Sequence, residues 1–389
     1  MKRVIGAILM VCCLGLTVAA QENVRGARKV IVSPEVNGTS VTLRLVAPNA
    51  RRVVVQGGWL PMMSPGADMT LGNDTVWTYT ANNLASDQYR YNFIVDGTRI
   101  IDPNNVFMIR DVGSLFSLFN VSGGVGDYYM VKDVPHGNVT RTWYHSATFG
   151  VDRRLTVYTP AGYDSKKSYP VFYLLHGSGG DEEAWITKGR VEQIMDNMMA
   201  EGKAVPMIVV MPNGNPDKQA APGETSENFN YTPVMSNAFP KYKDGSYEMA
   251  FPEIVKFIEK TYSVKADKSY RALAGLSMGG FHTMFISVNF PDMFDYVGLF
   301  SPGVSNNGVH LETPAYQNRE AKWKVQAQKG VKLYWIGVGS EDFLYKDIAA
   351  CRQSMEQCGI KDVYHETDRG HEWTNWRKYL VEFSQKLFK

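Results

Sequence analysis

Ser277 stands in Gly275-Leu-Ser-Met-Gly279, between the apolar run Tyr270-Arg-Ala-Leu-Ala-Gly-Leu276 and a helix-like stretch from Phe281 to Asn289. A serine at a sharp strand-to-helix turn holds its hydroxyl out into a cleft. Side chains two residues either side would meet the neighbouring strand and helix, so glycine suits both positions. The helix start also offers N–H groups to an anion. A serine hydroxyl is too weak an acid to attack an ester unaided. It needs a base, and the base needs an orienting carboxylate. The five letters alone are weak evidence, because a glycine-rich turn with an incidental serine reads the same.

The partners follow from chain order. When such a serine ends a strand of a parallel sheet, the acid and then the base come after later strands, at the carboxyl ends where the reactive rim lies. The run Val331 to Val338 leads into Gly339-Ser-Glu-Asp342. Asp342 is the expected acid and Glu341 its rival in the same loop; capping the next helix is the structural alternative for Asp342. The run Lys361 to Glu366 leads into Asp368-Arg-Gly-His371, and His371 is the expected base. His310 sits in a polar loop, His365 inside a strand and His282 inside the helix after the serine. An oxyanion needs two preorganised N–H donors. The Met278 amide, next after the serine, is one candidate. The other is the Ser178 amide in His176-Gly-Ser-Gly-Gly180, where glycines let the backbone approach closely.

The elements that must position these groups read in two textures. From Lys29 to about Asn120 short alternating runs such as Ser40 to Val46 and Tyr89 to Val95 predict an all-β region, with Asp96-Gly97 as a hairpin turn. Tyr89, Tyr91, Phe93 and Val95 share one face at period two and are expected core. Gly123 to Gly137 reads as a connector. Beyond it, apolar strands (Tyr169 to Leu175, Pro206 to Met211, Tyr296 to Phe300, Val331 to Val338) alternate with helical patterns (Val191 to Met199, Phe251 to Tyr262, Tyr345 to Gln357, and one from Thr374). That alternation predicts a mostly parallel sheet covered on both faces. Residues 215–246 read as a polar cleft-lining loop.

Length and composition bound the rest. The chain has 389 residues, enough for two domains. A net charge of +2 gives no electrostatic case for nucleic-acid binding. Lys2 and Arg3 precede an apolar run from Val4 to Val18 and then Ala19-Ala20, which predicts a leader cleaved after Ala20 and export to the periplasm or outside. The run is shorter than the ~20 residues of a spanning helix, so no span is expected in the mature chain. Cys351 and Cys358 lie seven apart in a helical pattern, about 10 Å along the axis, too far for an intrahelical disulfide. Both are expected as buried thiols.

Five stretches together resemble a known family. Leu174-Leu-His-Gly-Ser-Gly-Gly180, Met211-Pro-Asn-Gly214, Gly275-Leu-Ser-Met-Gly-Gly280, Gly339-Ser-Glu-Asp342 and Gly370-His-Glu-Trp373 resemble the esterase D-type enzymes of carbohydrate esterase family 1, which includes feruloyl and acetyl xylan esterases. They are also similar to enterochelin esterases and mycolyltransferases. The resemblance covers roughly residues 135–389. It implies an α/β-hydrolase fold, assigns Ser277, Asp342 and His371 the nucleophile, acid and base roles, and implies no metal or organic cofactor. Residues 46–50, 57–59, 76–77, 89–97 and 102–104 resemble immunoglobulin-like early-set modules of the carbohydrate-binding family 48 kind.

The reading that results is a leader over 1–20, a β-sandwich over 21–125 and an α/β-hydrolase esterase domain over 126–389. The resemblance favours a secreted feruloyl esterase acting on arabinoxylan or its oligosaccharides. Acetyl xylan esterase and siderophore esterase are the alternatives, with a non-catalytic sugar-binding protein as the alternative of another class. Trp59, Trp185 and Trp373 are candidate substrate-binding aromatics, each with packing as the competing role.

Overall fold

The computed structural model describes residues 31–61, 64–225, 235, 238, 240–304 and 312–389. The expected leader over 1–20 lies outside them, as do His310 and residues 226–234, 236, 237 and 239 of the 215–246 loop.

The first region is two small antiparallel sheets. One orders its strands Glu35–Asn37, Ser40–Val46, Val76–Ala81 and Thr70–Leu71; the other runs Ala67–Asp68, Val53–Gly57, Asp87–Val95, Ser114–Val121 and Met108–Asp111, with Thr98–Ile100 also on Asp87–Val95. Alternation drives their packing. Val41, Leu43 and Leu45 point inward from one sheet and meet Val53, Val55, Tyr89, Tyr91, Phe93 and Phe119 of the other. Asp87 and Gln88 break the alternation and are buried too, because the outer face of their sheet meets the second region.

That second region holds eight strands, numbered here within their sheet: β1 Asn138–Ser146, β2 Val151–Thr159, β3 Val171–Leu175, β4 Ile208–Pro212, β5 Arg271–Leu276, β6 Tyr296–Phe300, β7 Leu333–Gly339 and β8 Val363–Thr367. Their spatial order is β1-β2-β4-β3-β5-β6-β7-β8. β1 and β2 are antiparallel to their neighbours; β4 through β8 are parallel. The period of two sends Phe172 and Leu174 of β3 to one face, and Val171, Tyr173 and Leu175 to the other. Helices α1 (Val191–Ala200) and α6 (Trp373–Ser384) cover the first face. α2 (Ser246–Thr261), α3 (Met278–Asn289), α4 (Arg319–Lys329) and α5 (Tyr345–Gln357) cover the second. Each fully buried Leu, Val or Phe here contributes roughly 1.5–3 kcal/mol. Cys351 and Cys358 are free thiols inside the second face, and burial pushes the Cys351 thiol up to about 11.

Two features of this frame matter for chemistry. From β3 the chain first goes to β4 on one side and later enters β5 on the other. The loops after β3 and β5 therefore meet at a topological switch point. The two regions are also joined by a polar seam. Arg377 of α6 donates to Asp87 Oδ1 (2.9 Å) and the Gln88 carbonyl (2.8 Å), all buried, and its guanidinium lies 5.0 Å from the Tyr129 ring. Lys188 pairs with Asp111 (2.7 Å) and Arg110 with Asp181. The turn Val125–Tyr129, which spans the expected 125/126 junction, already packs its Tyr129 into the core of the second region.

Candidate active site

Ser277 lies between β5 and α3 with φ 52° and ψ −114°, a conformation that L side chains adopt only under constraint. The constraint is visible. Its amide donates to the Phe300 carbonyl (2.9 Å), and its own carbonyl accepts from the Phe281 and Gly303 amides (3.0 and 2.9 Å). A Cβ on Gly279 would stand 2.5 Å from the His176 carbonyl oxygen, and one on Gly275 would stand 2.4 Å from the Gly279 backbone. Only glycine lets β3, β5 and α3 close this tightly around the serine.

The loops after β7 and β8 bring two more groups to the same rim. His371 Nε2 is 2.9 Å from Ser277 Oγ, and His371 Nδ1 is 2.9 and 3.1 Å from the two oxygens of Asp342. Asp342 is buried, and burial by itself would raise its pKa. The hydrogen bond and charge of His371, the Leu344 amide (2.9 Å) and the Ser301 hydroxyl outweigh that and hold the carboxyl below its ordinary value. Ionised, it accepts from Nδ1–H and leaves the Nε2 lone pair facing the hydroxyl. Glu341, the rival, is exposed; its amide donates to the Arg369 carbonyl (2.9 Å). The structure thus sets Asp342, rather than Glu341, against the imidazole.

The loop after β3 closes as a turn, with the Gly180 amide on the Gly177 carbonyl (3.0 Å) and Gly179 at φ 75°, the positive φ that glycine supplies. A Cβ on Gly177 would stand 3.2 Å from Ser277 Cβ, so this backbone runs directly beside Ser277. Ser178 sits at the second position of that turn, and Met278 opens α3 beside Ser277. His176 braces the turn: its Nδ1–H donates to the Gly177 carbonyl (2.8 Å), and its Nε2 accepts from the Gly214 amide (2.8 Å). Burial lowers its pKa to about 4, which keeps that tautomer neutral.

The aromatic candidates separate. Trp185 is a correction: it is 1% exposed, its indole N–H donates to the Leu175 carbonyl (3.0 Å), and it packs edge-on to Phe300 and Trp373. The loop that places it near the 176–180 turn also turns its ring into the core. Trp373 lies half-buried between Trp185 and Trp376 (5.2 Å each), with the Lys188 ammonium 5.1 Å from its ring. Trp59 folds over Gly57, whose Cβ would stand 2.3 Å from the ring, and packs on Tyr79, Tyr89 and Phe119. One edge of it borders a cleft that also reaches His371.

Three residues near the rim carry no motif. Phe343, directly after Asp342, is 77% exposed with its ring 4.6 Å from the imidazole. Its only sequence signal is that position. Arg369, at φ 65°, binds Glu372 and donates to the Gly58 carbonyl of the sandwich (2.6 Å), tying the His371 loop to the first region. Val112, a β-branched residue at φ 51° on the tip of the Met108–Asp111/Ser114–Val121 hairpin, packs over Gly179. Among the described residues no group of three or more His, Cys, Asp or Glu is arranged to hold a metal, and no helix is long and apolar enough to cross a membrane.

Comparison with known proteins adds to this geometry. The family model described as putative esterase matches residues 146–387. An endo-1,4-beta-xylanase/feruloyl esterase of Xylanibacter ruminicola is 31% identical over 361 residues, covering 89% of this chain and 44% of that protein. The chain therefore spans less than half of that relative's length. A solved ferulic acid esterase superposes with TM-score 0.52 at 26% identity, over 64% of this chain and 97% of its own. The enterobactin esterase of Shigella flexneri matches in fold across both regions, with TM-score 0.65 at 16% identity, over 90% of this chain and 92% of its own.

Proposed function

This chain belongs to the putative esterase family of carboxylic ester hydrolases, and from that premise we propose that it is an exported serine esterase that releases hydroxycinnamoyl (feruloyl) groups from plant cell-wall arabinoxylan. The observation that carries the chemistry is the hydrogen-bonded chain Ser277 Oγ, His371 Nε2, His371 Nδ1, Asp342 at 2.9 Å per step. His371 takes the Ser277 proton as Oγ attacks the ester carbonyl, and Asp342 stabilises the imidazolium. The Met278 and Ser178 amides receive the developing oxyanion. The C–O bond to the alcohol breaks, and the leaving oxygen takes its proton from His371 Nε2. Water then attacks the acyl-enzyme by the same route, and the acid departs.

The feruloyl reading draws support from the relative's and the solved structure's names, and from Phe343, which offers an exposed face beside the imidazole. A catecholate siderophore calls for a basic cleft. Beside His371, Arg90 is paired with Asp111 and Arg369 with Glu372, so two of the three nearby guanidinium groups are already neutralised. The test compares kcat/KM on methyl ferulate, acetylated xylan and enterobactin. Methyl ferulate should lead by at least about tenfold, a difference of about 1.4 kcal/mol. A lead for either other substrate transfers the assignment to it.

A further inference from the structure

Arg153 of β2 is 1% exposed, and among the described residues it forms no ion pair. Its neighbour Arg154, on the opposite face of the strand, pairs with Glu182, Glu183 and Glu224. A buried cation without a carboxylate is costly to desolvate and persists only where other groups satisfy it. Arg153 lies against the Phe149 and Tyr247 rings (4.6 and 6.0 Å) and directs its fork at one short segment. It donates to the carbonyls of Asn213 (2.7 Å), Asn215 (2.9 Å) and Pro216 (3.0 Å). Those carbonyls belong to the loop after β4, which begins in the Met211-Pro-Asn-Gly214 stretch. The proton relay gives that stretch no role.

The 213–216 loop in turn grips the 176–180 turn at two points. The Gly214 amide donates to His176 Nε2 (2.8 Å), and the Asn215 side-chain amide donates to the Gly180 carbonyl (2.9 Å). With Nε2 accepting, the neutral imidazole carries its proton on Nδ1, which donates to the Gly177 carbonyl (2.8 Å). The Gly180 amide donates to the same oxygen (3.0 Å), so both of its lone pairs are engaged. The Gly177 carbonyl and the Ser178 N–H share one planar trans peptide and point in opposite directions. Fixing the carbonyl therefore fixes the direction of the Ser178 N–H, the donor proposed above for the oxyanion. Tilting this peptide moves that donor and leaves Ser277, His371 and Asp342 where they are.

We propose that Arg153 is a positioning residue for the oxyanion site. By clamping the 213–216 backbone it sets the peptide that carries the Ser178 N–H, through Gly214 and His176 on one arm and Asn215 on the other. This deepens the serine-esterase reading above and rests on it. Donors stabilise an oxyanion most when they need no reorientation during the reaction. A planar guanidinium fork held on three carbonyls supplies that rigidity from outside the site.

The test separates positioning from folding. Arg153→Met keeps the bulk and removes the fork, Arg153→Lys keeps the buried charge and removes the fork, and Asn215→Ala removes the tie to Gly180. Arg271→Met is the control, because that arginine starts β5 at the amino end of the same sheet, away from the rim, and pairs there with Glu259. Each folded variant is assayed on 4-nitrophenyl acetate and against a trifluoromethyl ketone. With the ketone, Ser277 Oγ bonds to the carbonyl carbon, its proton passes to His371 Nε2, and the carbonyl π pair becomes an oxyanion. Both half-reactions of ester cleavage pass through such an oxyanion. Arg153→Met should therefore lower kcat at least about tenfold with KM within a few-fold, a share of the roughly 10²–10³ that deleting a whole donor removes. Its affinity for the ketone should weaken by the same factor. Arg153→Lys and Asn215→Ala should fall in kcat and ketone affinity together, and they decide the matter if Arg153→Met does not fold. Arg271→Met should match wild type in both. Unchanged kcat and ketone affinity in the folded Arg153 variants, or a fall in kcat that ketone affinity does not follow, overturns the clamp. A wild type that forms no ketone adduct on Ser277 overturns the serine-esterase reading instead.

Discussion

Asp342→Asn is the sharpest perturbation of the relay, because it keeps the side chain's shape and inverts its hydrogen-bonding role. In the native site the carboxylate accepts from His371 Nδ1 at 2.9 and 3.1 Å and is held there by the Leu344 amide. The environment holds its pKa below the ordinary carboxylate value, so it is charged throughout the neutral range. An asparagine can present its NH2 to Nδ1, which moves the imidazole proton to Nε2, where a lone pair is required. The lost charge-assisted hydrogen bond accounts for about 1.5–3 kcal/mol. The wrong tautomer brings the total to about 4–5.5 kcal/mol, a fall of about 10³–10⁴ in rate. Steady-state kinetics on methyl ferulate should show this in kcat, with KM within a few-fold of wild type. Glu341→Gln should cost less than tenfold in the same assay. Retention of more than a tenth of wild-type kcat by Asp342→Asn, or a larger loss in Glu341→Gln, would refute the assigned relay.

Two further outcomes concern stability. His176 has its folded pKa lowered to about 4 from an ordinary 6.5 by burial. Below pH 6.5 the unfolded chain takes up a proton that the fold refuses, so this contribution is complete above pH 6.5 and is lost as pH falls toward about 4, by roughly 3 kcal/mol in all. Urea titrations across that range should show the slope, and His176→Asn should flatten it. Arg377→Ala strands the buried Asp87 carboxylate at the seam and should cost about 3–5 kcal/mol. An equilibrium unfolding midpoint unchanged from wild type would mean the two regions do not depend on that pair.

The legible part of this protein is what repeats locally. Strand alternation marked Ser40–Val46 and Asp87–Val95, and the continuous apolar runs marked β3, β4, β6 and β7. Glycine at 275 and 279 was readable because a side chain there would strike backbone. Asp342 and Glu341 stand next to each other in sequence, and spacing alone cannot choose between them. Only the loop backbone decides which one turns inward. Trp185 misled for a related reason: sequence placed it near the 176–180 turn, whereas its ring points into the core to reach the Leu175 carbonyl. The seam was illegible. Arg377 meets Asp87 across 290 residues, and Arg369 meets Gly58 across 311. No local pattern marks an arginine whose partner lies in another region, so of the sandwich's contribution to the cleft only Trp59 carried a signal in the chain.

The most direct measurement is rapid-quench mass spectrometry of the enzyme with 4-nitrophenyl ferulate, followed by peptide mapping. One feruloyl group should appear on the peptide carrying Ser277 in the early turnover phase, and Ser277→Ala should show no adduct and lose at least about 10³ in kcat. An adduct on another residue, or a Ser277→Ala variant that still turns over at the wild-type rate, would contradict the account.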